Sequence, residues 1–283
     1  IFRKAYENRY TWKNEFNGYK GKCIFLVNNN IHEGEFLLGK DFKPNIQKIE
    51  DEKIVKSIAS QLFEVFKPAK YVIVSGEYWK GDVLSKWHND RMKLFEEMIN
   101  RCNWEMILYV PAIAMNNRNW QLKMKTNSKI KIRYINLTPL EGSPNLVYPL
   151  LKNFLGLPRP HNVIVPSIVV GLNCGYSKIY LSGVDHSWLE EVSVDEKNNV
   201  LIGQKHFYGS EFKNRSSLLS DKKKPVYWDG SGKSRKLHEV LLKFYYAFRS
   251  YWELNELSKI YKSKIINLTE NSYIDAFERQ NLS

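Results

Sequence analysis

The chain of 283 residues contains only three cysteines, Cys23, Cys102 and Cys174, far apart and in apolar surroundings. Such usage excludes a disulfide framework, and the absence of ligand-like spacing excludes a zinc site; the thiols are expected to be buried and free in a reducing compartment. No stretch approaches the roughly 18 consecutive apolar residues that a membrane-spanning helix needs. There is no internal repeat, no low-complexity tract, no Gly-Lys-Ser/Thr phosphate loop and no helix-turn-helix or RNA-binding motif. No leader motif is visible, and the start at Ile1 without methionine is compatible with a removed upstream segment.

Acidic side chains are also in deficit, 30 against 43 Lys and Arg, for a formal net charge of +13. That balance favours anionic partners: nucleotide phosphates, acidic sugars, nucleic acid or an anionic membrane surface. The basic residues are spread along the chain apart from Lys222-Lys223-Lys224 and Lys233 to Lys236, and most aromatics fall at core-like spacing. Nucleic acid is therefore not an expected partner.

What is present is an alternation of short apolar, β-favouring runs with longer helical ones. Candidate strands are Cys23 to Val27, Tyr71 to Ser75, Met106 to Val110, Lys131 to Ile135, Ile179 to Ser182 and Ile265 to Leu268. Candidate helices are Asp51 to Phe66, Trp87 to Cys102, Asn145 to Leu155 and Val163 to Cys174. Continuous apolar strands separated by helices predict an α/β fold, a Rossmann-like, doubly wound, mainly parallel sheet with helices on both faces. Residues 1–21 then form an N-terminal extension, 22–187 the core, 188–233 an inserted lid rich in Lys, Asp, Asn, Ser and Gly, and 234–283 a long helix and the last strand. In that helix Leu237, Leu241, Phe244, Phe248, Tyr251 and Leu254 recur at intervals of three and four as one apolar face, with Ser234 as its N-cap. Arg235, His238 and Glu239 then occupy its first turns, near the positive end of the helix dipole.

The run Gly175-Tyr-Ser-Lys-Ile-Tyr-Leu-Ser-Gly-Val-Asp-His186 is the richest segment. Gly175 is the expected C-terminal stop of the preceding helix, and Ser182-Gly183 lets the chain turn at the end of a short strand with no Cβ in a ligand's way. Asp185 and His186 are thereby presented at a strand's carboxyl end, where open parallel sheets hold ligands. A polar-capped strand end with no ligand is the competing reading.

The segment Gly175-Tyr176 with Ile179 to Asp185 resembles the central motif of the bacterial sialyltransferases of glycosyltransferase family forty-two, and Ile265 to Ser272 resembles their last strand and its Asn-Ser turn. A closer resemblance, from about Gly21 onward, is to the bacterial MptE-like proteins, called after an archaeal pterin pyrophosphokinase. Its carriers are Asn162-Val163, Asp185 to Trp188, His206 to Tyr208, Leu237 to Glu239 and Asn271 to Arg279. The sialyltransferase resemblance implies a sheet that binds a CMP-activated sugar, an inverting transfer without a metal, and a lid bearing tyrosines and a catalytic histidine. It also implies a Gly-Asn-Gly-Pro-Ser loop after the first strand. Here Asn28-Asn29-Asn30 stands there with only Asn29 matching, and Ser75 occupies the place of a second asparagine.

An inverting transfer needs a base for the acceptor hydroxyl and stabilisation of charge on the departing phosphate. On the resemblance, His238 is the expected base and His186 the alternative. Asn29, Ser75, Asn162, Gly183 and Asp185 are assigned to the nucleotide, and Tyr208, Tyr227 and Arg235 to the phosphate; Arg279 is expected to anchor a last helix. The expected partners are a nucleotide-sugar donor and a glycan or glycolipid acceptor, with no cofactor or metal, in the cytoplasm or peripherally at the anionic inner face of the membrane. An ATP- and Mg²⁺-dependent diphosphokinase and a non-catalytic nucleotide-sugar or glycan-binding module are the alternatives.

Overall fold

A computed structural model describes residues 19–27, 30–38, 44–56, 58–59, 68–74, 88–202, 224–225 and 235–280. The chain is a mixed α/β protein that divides into two compact units, Ile1–Ile135 and Asn136–Ser283. Among the described residues the strands form four three-stranded sheets, two parallel and two antiparallel, where the sequence predicts one doubly wound sheet.

The first unit opens with an antiparallel sheet of β1 (Tyr19–Val27), β2 (Asn30–Leu38) and β3 (Pro44–Gln47). Val27 pairs with Asn30, so β1 runs into β2 across two residues. This corrects the reading of Cys23 to Val27 as the first strand of a parallel sheet: a strand that turns directly into an antiparallel neighbour feeds no helix, and hence no strand-loop-helix phosphate site. The physical reason is local. β2 alternates, with Gly34 and Phe36 buried and Ile31, Glu33 and Leu37 exposed, as a strand with one face covered does. The same unit contains a parallel sheet of β4 (Lys70–Val72), β5 (Met106–Pro111) and β6 (Ile130–Ile135), ordered β4-β5-β6. Helices α1 (His88–Arg101) and α2 (Arg118–Met124) lie between its strands in sequence. Phe95, Leu108, Val110, Trp120 and Met124 make its core.

The second unit has helices α3 (Pro144–Lys152) and α4 (Ile164–Asn173), strand β7 (Lys178–Leu181), the short strands β8 (Val192–Val194), β9 (Val200–Ile202) and β10 (Lys224–Pro225), helix α5 (Leu237–Ile260), and strands β11 (Lys264–Asn267) and β12 (Glu278–Arg279). β7, β11 and β12 are parallel, with β11 central. Leu151, Ile168, Leu181, Tyr251, Leu254, Ile265 and Phe277 belong to one core around that sheet.

Helix α4 ends as its sequence requires. Gly175 has φ +75°, its N–H bonds the Leu172 carbonyl at 2.9 Å, and the Tyr176 N–H bonds Gly171 at 3.4 Å, the pattern of a Schellman stop. The segment after β7 is more ordered than a bare lid: 187–191 form a 3-10 turn, and β8 and β9 are a hairpin. Asp195 makes that turn by accepting the N–H groups of Lys197 and Asn199 at 2.9 and 2.7 Å.

Four expectations need correction. Helix α5 begins at Leu237, so Arg235 lies before it, and the Glu239 carboxylate accepts the Lys236 N–H at 2.7 Å; Ser234 lies outside the described residues. Its buried stripe is Val240, Ala247, Tyr251, Leu254 and Leu257, whereas Leu237 and Leu241 are exposed, because the apolar positions of this helix wrap around two faces. Cys174 is exposed at the end of α4, while Cys102 is buried. After α5 no further helix occurs among the described residues; Arg279 sits in β12 and donates to the Ser272 carbonyl at 2.5 Å.

Candidate functional site

Leu181 and Asn267 are register partners at the carboxyl ends of β7 and β11, so residues 182–186 and 268–273 leave the sheet side by side. The second segment clamps the first. Thr269 Oγ1 accepts the Val184 N–H at 3.0 Å, Ser272 Oγ donates to the Val184 carbonyl at 2.7 Å, and the Tyr273 N–H bonds the Asp185 carbonyl at 2.7 Å. The buried Asn267 orders the clamp by accepting the Thr269 N–H at 3.0 Å. An Asn-Ser turn in the sequence thus becomes the template for the loop ahead of His186.

Gly183 adopts φ +72° and is exposed, and a Cβ there would meet nothing within 4 Å. The Asp185 carboxylate is exposed and shapes the turn, taking the His186 N–H at 2.8 Å and the Ser187 hydroxyl at 3.2 Å. His186 itself has φ +55° and ψ +34°, a left-handed conformation uncommon outside glycine, yet its side chain is only 6 % exposed.

The backbone at His186 is held because its ring is over-determined. Nε2 lies 2.5 Å from Tyr251 Oη, the ring stacks on Trp188 with centroids 4.1 Å apart, and Phe248 meets it edge-on at 6.3 Å. Tyr251, fully buried on α5, also receives Asn162 Nδ2 at 3.0 Å. The orientation of Asn162 is fixed, because its Oδ1 accepts the Ile164 and Val165 N–H groups at 2.9 and 3.3 Å and so caps α4. Asn162 donates to the phenol oxygen; in the arrangement where the phenol proton bonds His186 Nε2, the imidazole proton is on Nδ1. Among the described residues Nδ1 has no partner. Burial pushes the His186 pKa down to about 4, against the opposing pull of the Asp185 carboxylate. Burial likewise pushes the Tyr251 phenol up. At neutral pH the trio Asn162–Tyr251–His186 is therefore uncharged.

The structure brings Asn162 and His186 together on Tyr251, with Gly183 and Asp185 in the turn that leads into His186. His238 does not join them: it is exposed in the first turn of α5, 13 residues before Tyr251, which is about 20 Å along the helix axis and about 140° around it. Arg235 is half-buried just ahead of that helix. Asn29, Ser75, Tyr208 and Tyr227 lie outside the described residues, as does most of the 188–233 segment. Sequence reasoning missed Tyr251 as a site residue, because its spacing reads as core; the signal that marks it is a phenol in an otherwise apolar stripe, whose hydroxyl needs a partner when buried. Among the described residues no three His, Cys, Asp or Glu side chains gather as metal ligands, and no helix is long and apolar enough to cross a membrane.

A family model described as a protein of unknown function, DUF3386, matches residues 1–70, which include the β1-β2-β3 sheet. No curated protein and no solved structure matches the chain.

Proposed function

We propose that the protein is a glycosyltransferase that moves an acidic sugar, such as sialic acid, another nonulosonate or Kdo, from a CMP-activated donor to a glycan or glycolipid acceptor with inversion. The observation that carries the reading is the exposed Gly183–Asp185 turn at the carboxyl end of β7, beside a histidine held in a left-handed conformation with one ring nitrogen free among the described residues. Carboxyl ends of parallel strands are where α/β sheets bind nucleotides. The residues that carry the sialyltransferase resemblance, Gly175-Tyr176 with Ile179 to Asp185 and Ile265 to Ser272, include those that form and clamp this turn.

In this reading Gly183 lets the backbone approach the donor, Asp185 accepts from nucleotide hydroxyls, and His186 Nδ1–H donates to an anionic donor oxygen. A neutral imidazole that stays neutral down to about pH 4 suits a fixed donor better than a base. The resemblance assigns proton removal from the acceptor to His238, in the first turn of α5. A finer Rossmann-like relation, metal independence, and a cytoplasmic location at the anionic inner face of a bacterial membrane, for surface polysaccharide synthesis, belong to the same proposal. The net charge of +13 supports it.

One observation favours a second reading, a non-catalytic nucleotide-sugar or glycan-binding module: β1 runs into an antiparallel partner where the resembling enzymes have a nucleotide loop. Thermal unfolding of the full chain with CMP, CDP, UDP, GDP or ATP, each with and without Mg²⁺, separates the readings. A ligand at a hundredfold excess over its Kd adds about 2.7 kcal/mol. CMP is expected to raise Tm without metal, and His186→Asn to reduce the rise. Stabilisation by ATP with Mg²⁺ alone refutes the CMP-sugar reading in favour of the diphosphokinase. CMP binding without donor turnover, unchanged by His238→Ala, leaves the binding module.

A further inference from the structure

We infer that a second binding site, a cleft on the outer face of α5, takes an uncharged pyranose ring of a saccharide. The cleft is open, about 490 Å³, and lined by Leu189, Tyr245, Phe248, Arg249, Trp252, Tyr273 and Asp275. Its size lies within the range of small-molecule sites.

Two sequence patterns build it. Tyr245, Phe248, Arg249 and Trp252 are spaced i, i+3, i+4 and i+7 and so share one helix face, about 10 Å long. Residues 272–276 alternate, with Ser272, Ile274 and Ala276 buried and Tyr273 and Asp275 pointing outward. Tyr245, Trp252 and Tyr273 are 55, 48 and 39 % exposed, a concentration of aromatic surface that a solvated helix face does not need. Their polar edges are fixed: Trp252 Nε1 donates to Asp275 Oδ1 at 3.2 Å, and the Tyr273 hydroxyl donates to Glu190 Oε1 at 2.7 Å. Arg249 pairs with Glu253 at 3.0 Å and bonds Tyr245.

Charge selects the occupant. Arg249 in the lining is paired with Glu253, Asp275 lines the cleft and Glu190 stands beside it, so carboxylates outnumber the guanidinium. An anionic phosphate or polyanion gains nothing there, and an acyl chain is opposed by the carboxylates. A pyranose presents an apolar C–H face to an indole or phenol ring and hydroxyls to a carboxylate and a guanidinium, which matches flat aromatic faces with polar groups between them. The cleft also adjoins the first site. Phe248 touches the His186 ring and lines the cleft, and Leu189 and Tyr273 both extend from the two segments that form the Asp185 turn. On the transferase reading, on which this last step rests, the cleft is where the acceptor glycan lies.

The test uses the full chain with lactose, cellohexaose and maltohexaose as neutral probes and a hexagalacturonate as the anionic one, by saturation-transfer NMR and calorimetric titration. At least one neutral probe is expected to bind, and Trp252→Ala and Tyr245→Ala each to weaken it by about tenfold. Both positions are half-exposed, so an unchanged Tm separates lost binding from lost folding. CMP-induced stabilisation is measured on the same variants and is expected to be retained. Saccharide binding without any CMP effect keeps the cleft and refutes the transferase. A CMP effect without saccharide binding refutes the cleft alone. Neutral binding that survives Trp252→Ala, tighter binding of the galacturonate, or a dimer that Trp252→Ala dissolves also overturns it.

Discussion

Replacing His186 by Asn tests the buried trio most directly, because Asn tolerates φ +55° and removes only the ring and its titration. In the folded chain burial holds the imidazole pKa at about 4, against 6.5 when unfolded. The native state thus refuses a proton that the unfolded chain accepts, so stability is full above pH 6.5 and falls as pH drops toward 4. Integrated over that window, His186 alone costs roughly 1.8 kcal/mol between pH 7 and pH 5, and about 3.4 kcal/mol once pH is below 4. Many carboxylates titrate in the same range, but they are common to both proteins and cancel in the difference. Urea unfolding of wild type and His186→Asn at pH 7, 6 and 5 is therefore expected to show the variant less stable at pH 7, with the gap closing by nearly 2 kcal/mol at pH 5. Resolving the histidine Hε1 resonances over the same range locates the titration itself. A gap independent of pH, or a His186 resonance that titrates near 6.5, refutes the account of the site as an uncharged trio.

Tyr251→Phe strands both Asn162 Nδ2 and His186 Nε2 and is expected to cost about 1–3 kcal/mol, with the imidazole nitrogen shifts in long-range ¹H–¹⁵N spectra losing the pure Nδ1–H pattern. Gly175→Ala and Gly183→Ala force similar left-handed conformations at sites where a Cβ meets nothing, so each costs about 1 kcal/mol by urea titration, yet only Gly183→Ala is expected to weaken CMP. Ser272→Ala removes the bond to the Val184 carbonyl and is expected to loosen the turn, read as faster amide exchange at Asp185 and His186. Gly156→Ala would place a Cβ 2.4 Å from the Thr138 carbonyl oxygen, backbone that has no free rotation to escape, and should destabilise the second unit by at least as much as an overpacked core, about 1–3 kcal/mol in urea unfolding.

Elements that form from their own local sequence were legible. The strands β5, β6, β7 and β11 and helices α1 and α4 match the expected runs to within a residue or two; the strands and α4 are short apolar runs, with Gly175 stopping α4, and α1 is a longer amphipathic run. Local pattern does not carry pairing. Cys23 to Val27 has the composition of a buried parallel strand, but the partner of a strand is decided by the next stretch of chain, and two asparagines before an alternating segment give a hairpin. Helix α5 failed for a related reason: with Leu241, Tyr245 and Trp252 on one face and Val240, Ala247, Tyr251 and Leu254 on another, its apolar residues fit more than one stripe, and periodicity alone does not say which stripe meets the core.

The grouping of several candidate residues was legible. Gly183, Asp185 and His186 were identified from a strand end, and Asn162 from a helix start, and the fold joins Asn162 and His186 on Tyr251. The hydrogen bonds of Asn162 and His186 run to a side chain distant in sequence. Asn162, read as a nucleotide ligand, spends its oxygen on the α4 N-terminus and its nitrogen on Tyr251. The chain of bonds passes through the phenol to His186, 24 residues from Asn162 and 65 from Tyr251, whose ring proton is on Nδ1 where the phenol proton bonds Nε2. A base would have had its lone pair facing the ligand; in that arrangement this histidine turns its lone pair inward. On the proposed reading this residue holds a donor anion and the proton acceptor lies elsewhere, so His238→Ala and His186→Asn are expected to separate turnover from donor binding.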